Sequence, residues 1–236
     1  MISTDLFTQS RPFLAFLENW QAQMQPVALA DAIQDPEKTA ILSVDVINGF
    51  CYEGPLASPR VANIVAPIAS LFTSAWAMGV RQIILCQDTH EPKAVEFSAW
   101  PSHCVRGTPE AETVDAFKKL PFYNQLVVFP KNSISSTTNT GLDMWISSHP
   151  EFDTYIVVGD CTDLCTYQLA MQIRLDATAR QLARRVIVPA DCVDTYDYSL
   201  EAAKEHGGLP HPAALIHAMF LYHMALNGIE VVNSLT

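Results

Sequence analysis

Three reactive side chains, Asp45, Lys131 and Cys165, lie where predicted β-strands end. Cys165 closes the stretch Gly159–Cys165, which follows the apolar run 155–158 and precedes a long helix-forming segment. This pattern predicts a strand, a tight turn and a helix. Unpaired backbone N–H groups and the helix dipole favour an anion at a helix start, so we expect a lowered pKa for the Cys165 thiol. The alternative is that Cys165 is a small buried hydrophobic residue.

Asp45 and Lys131 can form a catalytic unit with that thiol. Asp45 lies inside apolar sequence, where an unpaired carboxylate is costly to bury, so it must be paired, perform chemistry or cap the next turn. Lys131 follows the third predicted strand, where a solvated loop lysine is the alternative. Together, the carboxylate would accept the thiol proton, the ammonium would stabilise both anions, and the thiolate would attack a carbonyl carbon.

A second group of residues has the side-chain types of a metal site. Asp88 and His90 are two residues apart at the end of a predicted strand, and Glu96 and His103 lie on the segment beyond it. Carboxylate oxygens and imidazole nitrogens suit Zn²⁺, with Fe²⁺ and Mn²⁺ as alternatives. The D-x-H pattern alone is weak evidence, because a hydrogen-bonded Asp–His pair has the same spacing.

The remaining cysteine and histidine patterns are weaker. Cys161 and Cys165 are separated by three residues, which is not the C-x-x-C spacing of a redox or metal pair. On the last predicted helix we expect His211, His217 and His223 to occupy cap and surface positions, with His211 and Pro212 opening the helix.

Apolar strands alternating with helices predict a doubly wound α/β domain, a mostly parallel sheet of about six strands with helices on both faces. Predicted strands cover residues 40–46, 81–87, 126–129, 154–158, 185–188 and 229–232. Predicted helices cover residues 61–78, 110–119, 141–148, 165–182 and part of 211–227. Residues 1–37 are predicted to be a helical N-terminal extension, and residues 38–236 the α/β domain. Ligands bind such sheets at the carboxyl ends of the strands, so the reactive residues should share one crevice.

Composition restricts the partners. The 236 residues carry a formal net charge of -11, which argues against nucleic acid or an anionic membrane as a partner. The sequence has no run of about 18 apolar residues and no basic, then apolar, N-terminus, so we predict a cytoplasmic protein. The six cysteines are expected to be free thiols. The apolar C-terminal helix predicts a homo-oligomer.

In these contexts, Asp45, Lys131 and Cys165 resemble the catalytic triad of the isochorismatase-like cysteine hydrolases, over about residues 38–233. The resemblance implies a Rossmann-like three-layer fold. It also implies that Cys165 is the nucleophile, Asp45 the general acid and base, and Lys131 their electrostatic partner. By the same resemblance, the backbone N–H groups of Cys161 and Cys165 form an oxyanion hole.

Within that family, the D-x-H pattern followed by Trp-Pro-Ser-His-Cys at 100–104 resembles the nicotinamidases. This implies a divalent metal that holds the pyridine nitrogen of the substrate, bound by the aspartate and the two histidines described above. Glu96 occupies the position where many members have a third His. Phe50 and Trp100 match positions that sandwich the ring. Asp160 is a departure, because the family usually has an apolar residue there, before a non-proline cis peptide.

The leading prediction is therefore a cysteine amidohydrolase that converts nicotinamide and water to nicotinate and ammonia through a thioester on Cys165. One alternative is hydrolysis of another small amide or carbamoyl compound on the same triad. The other is a non-catalytic member that binds a partner protein. Retention of all three triad residues argues against the non-catalytic alternative, because a binding module has no need to keep a thiol, a carboxylate and an ammonium together. The expected ligand is a small neutral amide.

Overall fold

The structure, a computed structural model, describes residues 5–236. Within these residues lies one parallel sheet of seven strands: β1 (Thr39–Val44), β2 (Gln82–Asp88), β3 (Val127–Lys131), β4 (Thr154–Asp160), β5 (Arg185–Pro189), β6 (Val193–Asp194) and β7 (Glu230–Val232). The strand order is β3-β2-β1-β4-β5-β7, with the short β6 beside β4. The order reverses between β1 and β4, which confirms the doubly wound α/β fold.

Helices cover both faces of the sheet. In the described part of the chain they are α1 (Leu6–Ala22), α2 (Leu29–Ala32), α3 (Asn48–Cys51), α4 (Pro59–Met78), α5 (Asp115–Lys118), α6 (Leu142–Ser148), α7 (Cys165–Ala179), α8 (Leu200–His206) and α9 (Ala213–Leu226). The core cluster on one face includes α4, and the cluster on the other face includes α6, α7 and α9. This arrangement gives three layers.

The central strands are buried on both faces, which explains their unbroken apolar sequence. Ile41 of β1 belongs to the core cluster that contains Ile68 of α4. Its neighbour Leu42 belongs to the opposite cluster, with Leu169 of α7. By length and composition alone α4 could cross a membrane, but its buried side packs on the sheet as a core helix does. All six cysteines are buried free thiols, as predicted.

The helix predicted for residues 110–119 is wrong. The structure instead has a 3-10 turn at Pro109–Ala111 and the short α5. The intervening residues are extended because they pair with the segment before α3: Asn48 N–H donates to the Glu112 carbonyl at 2.9 Å, and Thr113 bridges Ile47. This tertiary pairing overrides local helix propensity. The sequence patterns also did not predict α3, α8 and β6.

Helix α1 packs against the last helix of the chain. The ring of Tyr222 in α9 lies 5.4 Å, between centroids, from both Phe13 and Trp20. After α1, the Val27 N–H donates to the Ser234 carbonyl at 2.9 Å. The first four residues of the predicted extension lie outside the described residues, and its boundary at residue 37 stays a prediction.

Candidate active site

Asp45, Lys131 and Cys165, called the triad below, meet at the carboxyl end of the sheet. Asp45 follows β1, Lys131 ends β3 and Cys165 begins α7. The Lys131 Nζ lies 2.7 Å from Asp45 Oδ2 and 3.5 Å from Cys165 Sγ, and all three side chains are buried. The same Nζ lies 2.6 Å from Asp88 Oδ1. Although burial opposes the charge, Asp45 and Asp88 raise the pKa of Lys131 well above its ordinary value, so Lys131 is a cation.

The backbone around Asp45 fixes its carboxylate. Asp45 has a left-handed φ of 56°, which is uncommon for a residue other than glycine. Its N–H donates to the Cys86 carbonyl at 2.8 Å, and its Oδ1 accepts the Asp88 N–H at 2.9 Å. At the neighbouring strand end, a Cβ on Gly159 would lie 2.0 Å from the Val44 carbonyl oxygen. Only glycine permits this close approach of β4 to β1.

The carboxyl and the thiol of the triad both have raised pKa values. Burial and Asp88 raise the pKa of Asp45 to about 7, against the opposing effect of Lys131. Burial also raises the pKa of Cys165 well above its ordinary value, with Lys131 opposing and both aspartates adding to the rise. The lowered pKa expected from the helix start is therefore wrong, because burial and the two aspartates disfavour the thiolate more than Lys131 favours it. Cys165 needs a base when it attacks, and Asp45, its hydrogen-bond partner, can serve as one.

Asp88, His90 and His103 form a buried group, called the metal cluster below. Each offers one ligand atom, and these atoms all lie within 4.8 Å of one another. Neither buried ring nitrogen of His90 has a hydrogen-bond partner in the described part of the chain, although Nε2 lies 3.5 Å from Asp88 Oδ2, and this is unfavourable unless a ligand binds. The His103 Nδ1–H donates to the Pro101 carbonyl at 2.8 Å, which leaves Nε2 for a metal. This donor set fits a divalent ion.

A cavity of about 1230 Å³ opens at the site and is lined by Asp45, Asp88 and Cys165. The other predicted site residues lie around this cavity. Glu96, on the 3-10 turn Val95–Ser98, lines the cavity but is outside the metal cluster, so its role as a ligand stays a prediction. Phe50 and Trp100 also line the cavity. The Phe50 ring lies 5.7 Å from the ring of His103, between centroids.

The predicted oxyanion hole lies between β4 and α7. The peptide bond between Asp160 and Cys161 is cis. Within residues 5–236, neither the Cys161 N–H nor the Cys165 N–H donates a hydrogen bond to the protein. Both N–H groups are therefore available to stabilise a developing oxyanion.

The expectation of cap and surface positions is wrong for His211 and His217, each only 8% exposed. His211 Nε2 lies 2.9 Å from Asp163 Oδ2, and its ring stacks on that of Tyr196 at 4.0 Å between centroids. His217 lies 2.9 Å from the Thr162 hydroxyl. Asp163 and Thr162, the partners of these histidines, lie in the turn that follows β4. Each is about fifty positions from its histidine, so no short sequence pattern could have predicted the contacts.

Comparisons with known proteins identify the family and support the fold. The isochorismatase domain family matches residues 39–211. Nicotinamidase 1 of Arabidopsis thaliana is 27% identical over 212 residues, which cover 83% of this chain and 86% of the relative. A cysteine hydrolase from Pseudomonas syringae pv. phaseolicola has a TM-score of 0.68 at 25% identity, over 84% of this chain and 89% of that one. A Pyrococcus horikoshii pyrazinamidase, solved in complex with zinc, has a TM-score of 0.64 at 22% identity, over 83% and 98%. Fold, strand-end residues and family match together show that this chain belongs to the isochorismatase family of hydrolases.

Proposed function

We propose that this chain is a cysteine amidohydrolase that converts nicotinamide and water to nicotinate and ammonia. The observation that carries the proposal is that the triad and the metal cluster adjoin, joined by the 2.6 Å contact between Lys131 and Asp88. A nucleophile beside a site for a ring-binding metal suits a pyridine carboxamide. The relatives named nicotinamidase and pyrazinamidase support the same substrate class.

The chain's own residues can supply each proton and each charge-stabilising contact. Asp45 takes the proton of Cys165, and the sulfur attacks the amide carbon while the N–H groups of Cys161 and Cys165 stabilise the oxyanion. Asp45 then gives the proton to the departing ammonia, which leaves a thioester on Cys165. Asp45 next deprotonates a water that hydrolyses the thioester, so that nicotinate leaves and the thiol is restored. Lys131 stabilises the carboxylate and the thiolate throughout.

Asp88, His90 and His103 would hold a divalent ion, and that ion would bind the ring nitrogen of the substrate. We propose Zn²⁺, in keeping with the zinc in the Pyrococcus horikoshii relative. Phe50 and Trp100 would contact the faces of the ring, each contributing about 1 kcal/mol.

The size of the cavity favours a second candidate, a larger amide hydrolysed by the same triad. Its volume of about 1230 Å³ exceeds the range of roughly 300–1,000 Å³ that is typical of ligand pockets. Its wall also extends beyond the triad to residues 206–211. Nicotinamide would leave much of this space to water.

Ammonia release from purified protein tests the proposal. Nicotinamide should be turned over by the wild type and by Cys161→Ala, whose proposed contribution is a backbone N–H, but not by Cys165→Ala. Release from other amides and none from nicotinamide would favour the second candidate. Activity of Cys165→Ala within tenfold of wild type would contradict the assignment of the nucleophile.

A further inference from the structure

Asp160 is a buried carboxyl in the active site that the proposed chemistry does not use. It is 1% exposed and lines the cavity together with Asp45 and Cys165. In the described part of the chain its Oδ1 has no hydrogen-bond partner, and Oδ2 has only the Cys161 Sγ, at 3.7 Å. A buried oxygen without a partner destabilises the folded state, so a ligand that satisfies it is expected.

Asp160 lies near the catalytic carboxylate, at the carboxyl end of the strand next to β1. The β1–β4 pairing ends at Val44 and Gly159, Asp45 and Asp160 are the residues that follow, and their carboxyl groups are close enough to interact electrostatically. Asp160 also directly precedes Cys161, which supplies one N–H of the proposed oxyanion hole. In the proposed reaction the amide nitrogen faces Asp45 and the carbonyl oxygen faces this N–H. In that orientation the nitrogen that leaves would be near Asp160, which lines the same cavity.

Asp160 lies outside the ion pairs that Lys131 makes. Lys131 pairs with Asp45 and Asp88, and within residues 5–236 no ion pair involves Asp160. Burial and the neighbouring Asp45 raise the pKa of Asp160 well above its ordinary value, against the opposing effect of Lys131, and this rise favours the neutral acid. A neutral carboxyl presents a carbonyl oxygen that accepts a hydrogen bond, and it does not repel the carboxylate product.

We propose that Asp160 is a specificity-determining residue, whose Oδ1 accepts a hydrogen bond from the amide nitrogen of the substrate. This inference rests on the proposed function and narrows its substrate class to primary carboxamides. A primary carboxamide carries two N–H groups, whereas the corresponding methyl ester carries none. With an ester bound, the Oδ1 of Asp160 stays buried without a partner, and sites of this kind discriminate strongly against the analogue that lacks the donor.

The test compares kcat/KM for nicotinamide and methyl nicotinate in Asp160→Val and Asp160→Asn. Valine has a similar size and no acceptor, so kcat/KM for the amide should fall about tenfold or more, and that for the ester less than about threefold. Asparagine keeps a neutral carbonyl acceptor, so its amide-to-ester ratio should stay close to that of the wild type. Asp197→Asn is the matched control, because Asp197 lines the same cavity but already accepts the Ala213 N–H at 2.9 Å. Its ratio should not change.

Thermal unfolding separates this role from a structural one. Asp160→Val removes a buried oxygen that has no protein partner within residues 5–236, so its Tm should rise by roughly 2–8 °C while amide selectivity falls. An unchanged amide-to-ester ratio, or a lower Tm with equal losses on both substrates, would overturn the inference and leave the proposed function standing. A wild-type protein that hydrolyses neither substrate would overturn both.

Discussion

Replacing Lys131 with methionine would remove the ammonium that holds the triad and the metal cluster together. Lys131 Nζ lies within 2.7 Å of carboxylate oxygens on both Asp45 and Asp88, and its removal leaves both carboxylates buried without that partner. Breaking a buried pair by removing one partner costs about 3–5 kcal/mol. In a chain of this size each kcal/mol lowers Tm by about 2–4 °C, so we expect a decrease of about 6–20 °C.

The loss of stability should grow with pH. In the wild type, Lys131 and the two histidines hold the pKa of Asp88 below its ordinary value of 3.8 despite burial, so this stabilisation is present above pH 3.8 and is lost as pH falls through the lowered pKa. The ionisation of Asp45 has the opposite effect on stability. Burial raises its pKa to about 7, so the cost of ionising it appears as pH rises from 3.8 to about 7. Without Lys131 both pKa values rise, and Lys131→Met should lose more stability at pH 8 than at pH 5.

Thermal unfolding of the two proteins at pH 5, 6.5 and 8 measures this difference. A chelator should be present, so that a bound cation does not replace the missing charge. Lys119→Met is the matched control, because Lys119 is exposed and its loss should change stability by no more than about 0.5 kcal/mol. A Tm decrease that is equal at pH 5 and pH 8, or no larger than that of the control, would refute the ion-pair reasoning.

Three further predictions concern the site. His90→Ala should lose the bound metal, which elemental analysis of protein purified without chelator would detect; equal metal in variant and wild type would contradict the cluster. Wild type should hydrolyse nicotinamide on the order of a hundredfold faster than benzamide. Benzamide has no ring nitrogen for the metal to bind, so its carbonyl carbon would be misplaced relative to the Cys165 sulfur. His103→Ala should remove the difference between the two amides. Equal kcat/KM values for the two amides in the wild type would contradict the proposal that a bound metal recognises the ring nitrogen. The kcat/KM for nicotinamide should fall as pH decreases below about 7, because Asp45 must be ionised to accept the thiol proton; a flat profile from pH 5 to 8 would exclude Asp45 as the base.

The sequence could predict which strand ends carry the site, because parallel strands covered on both faces have a simple apolar signature and their carboxyl ends meet. This pattern predicts the positions of Asp45, Lys131 and Cys165, and the structure brings the three side chains together. Local pattern could not predict the protonation of Cys165, since its pKa depends on burial and on aspartates distant in sequence. For the same reason the sequence shows Asp160 as a departure from the family, but its place in the cavity with Asp45 depends on the fold.

The short α5 and the buried His211 show the same limit. Residues 110–119 have the composition of a helix, and only their pairing with residues 47–48 keeps Glu112 and Thr113 extended. His211 is close to a helix start in sequence, yet its contact with Asp163 spans 48 positions. Contacts of this range follow from the topology, and no spacing rule in the sequence encodes them.

The contact between α1 and α9 has a consequence for the order of folding. During synthesis α1 leaves the ribosome about 200 residues before Tyr222, on which Phe13 and Trp20 pack, has been made. The bond between Val27 and Ser234 likewise joins residues about 207 positions apart, and such long-range contacts form slowly. The aromatic side of α1 therefore stays uncovered while the sheet forms, and in that interval it is a surface on which nascent chains can associate.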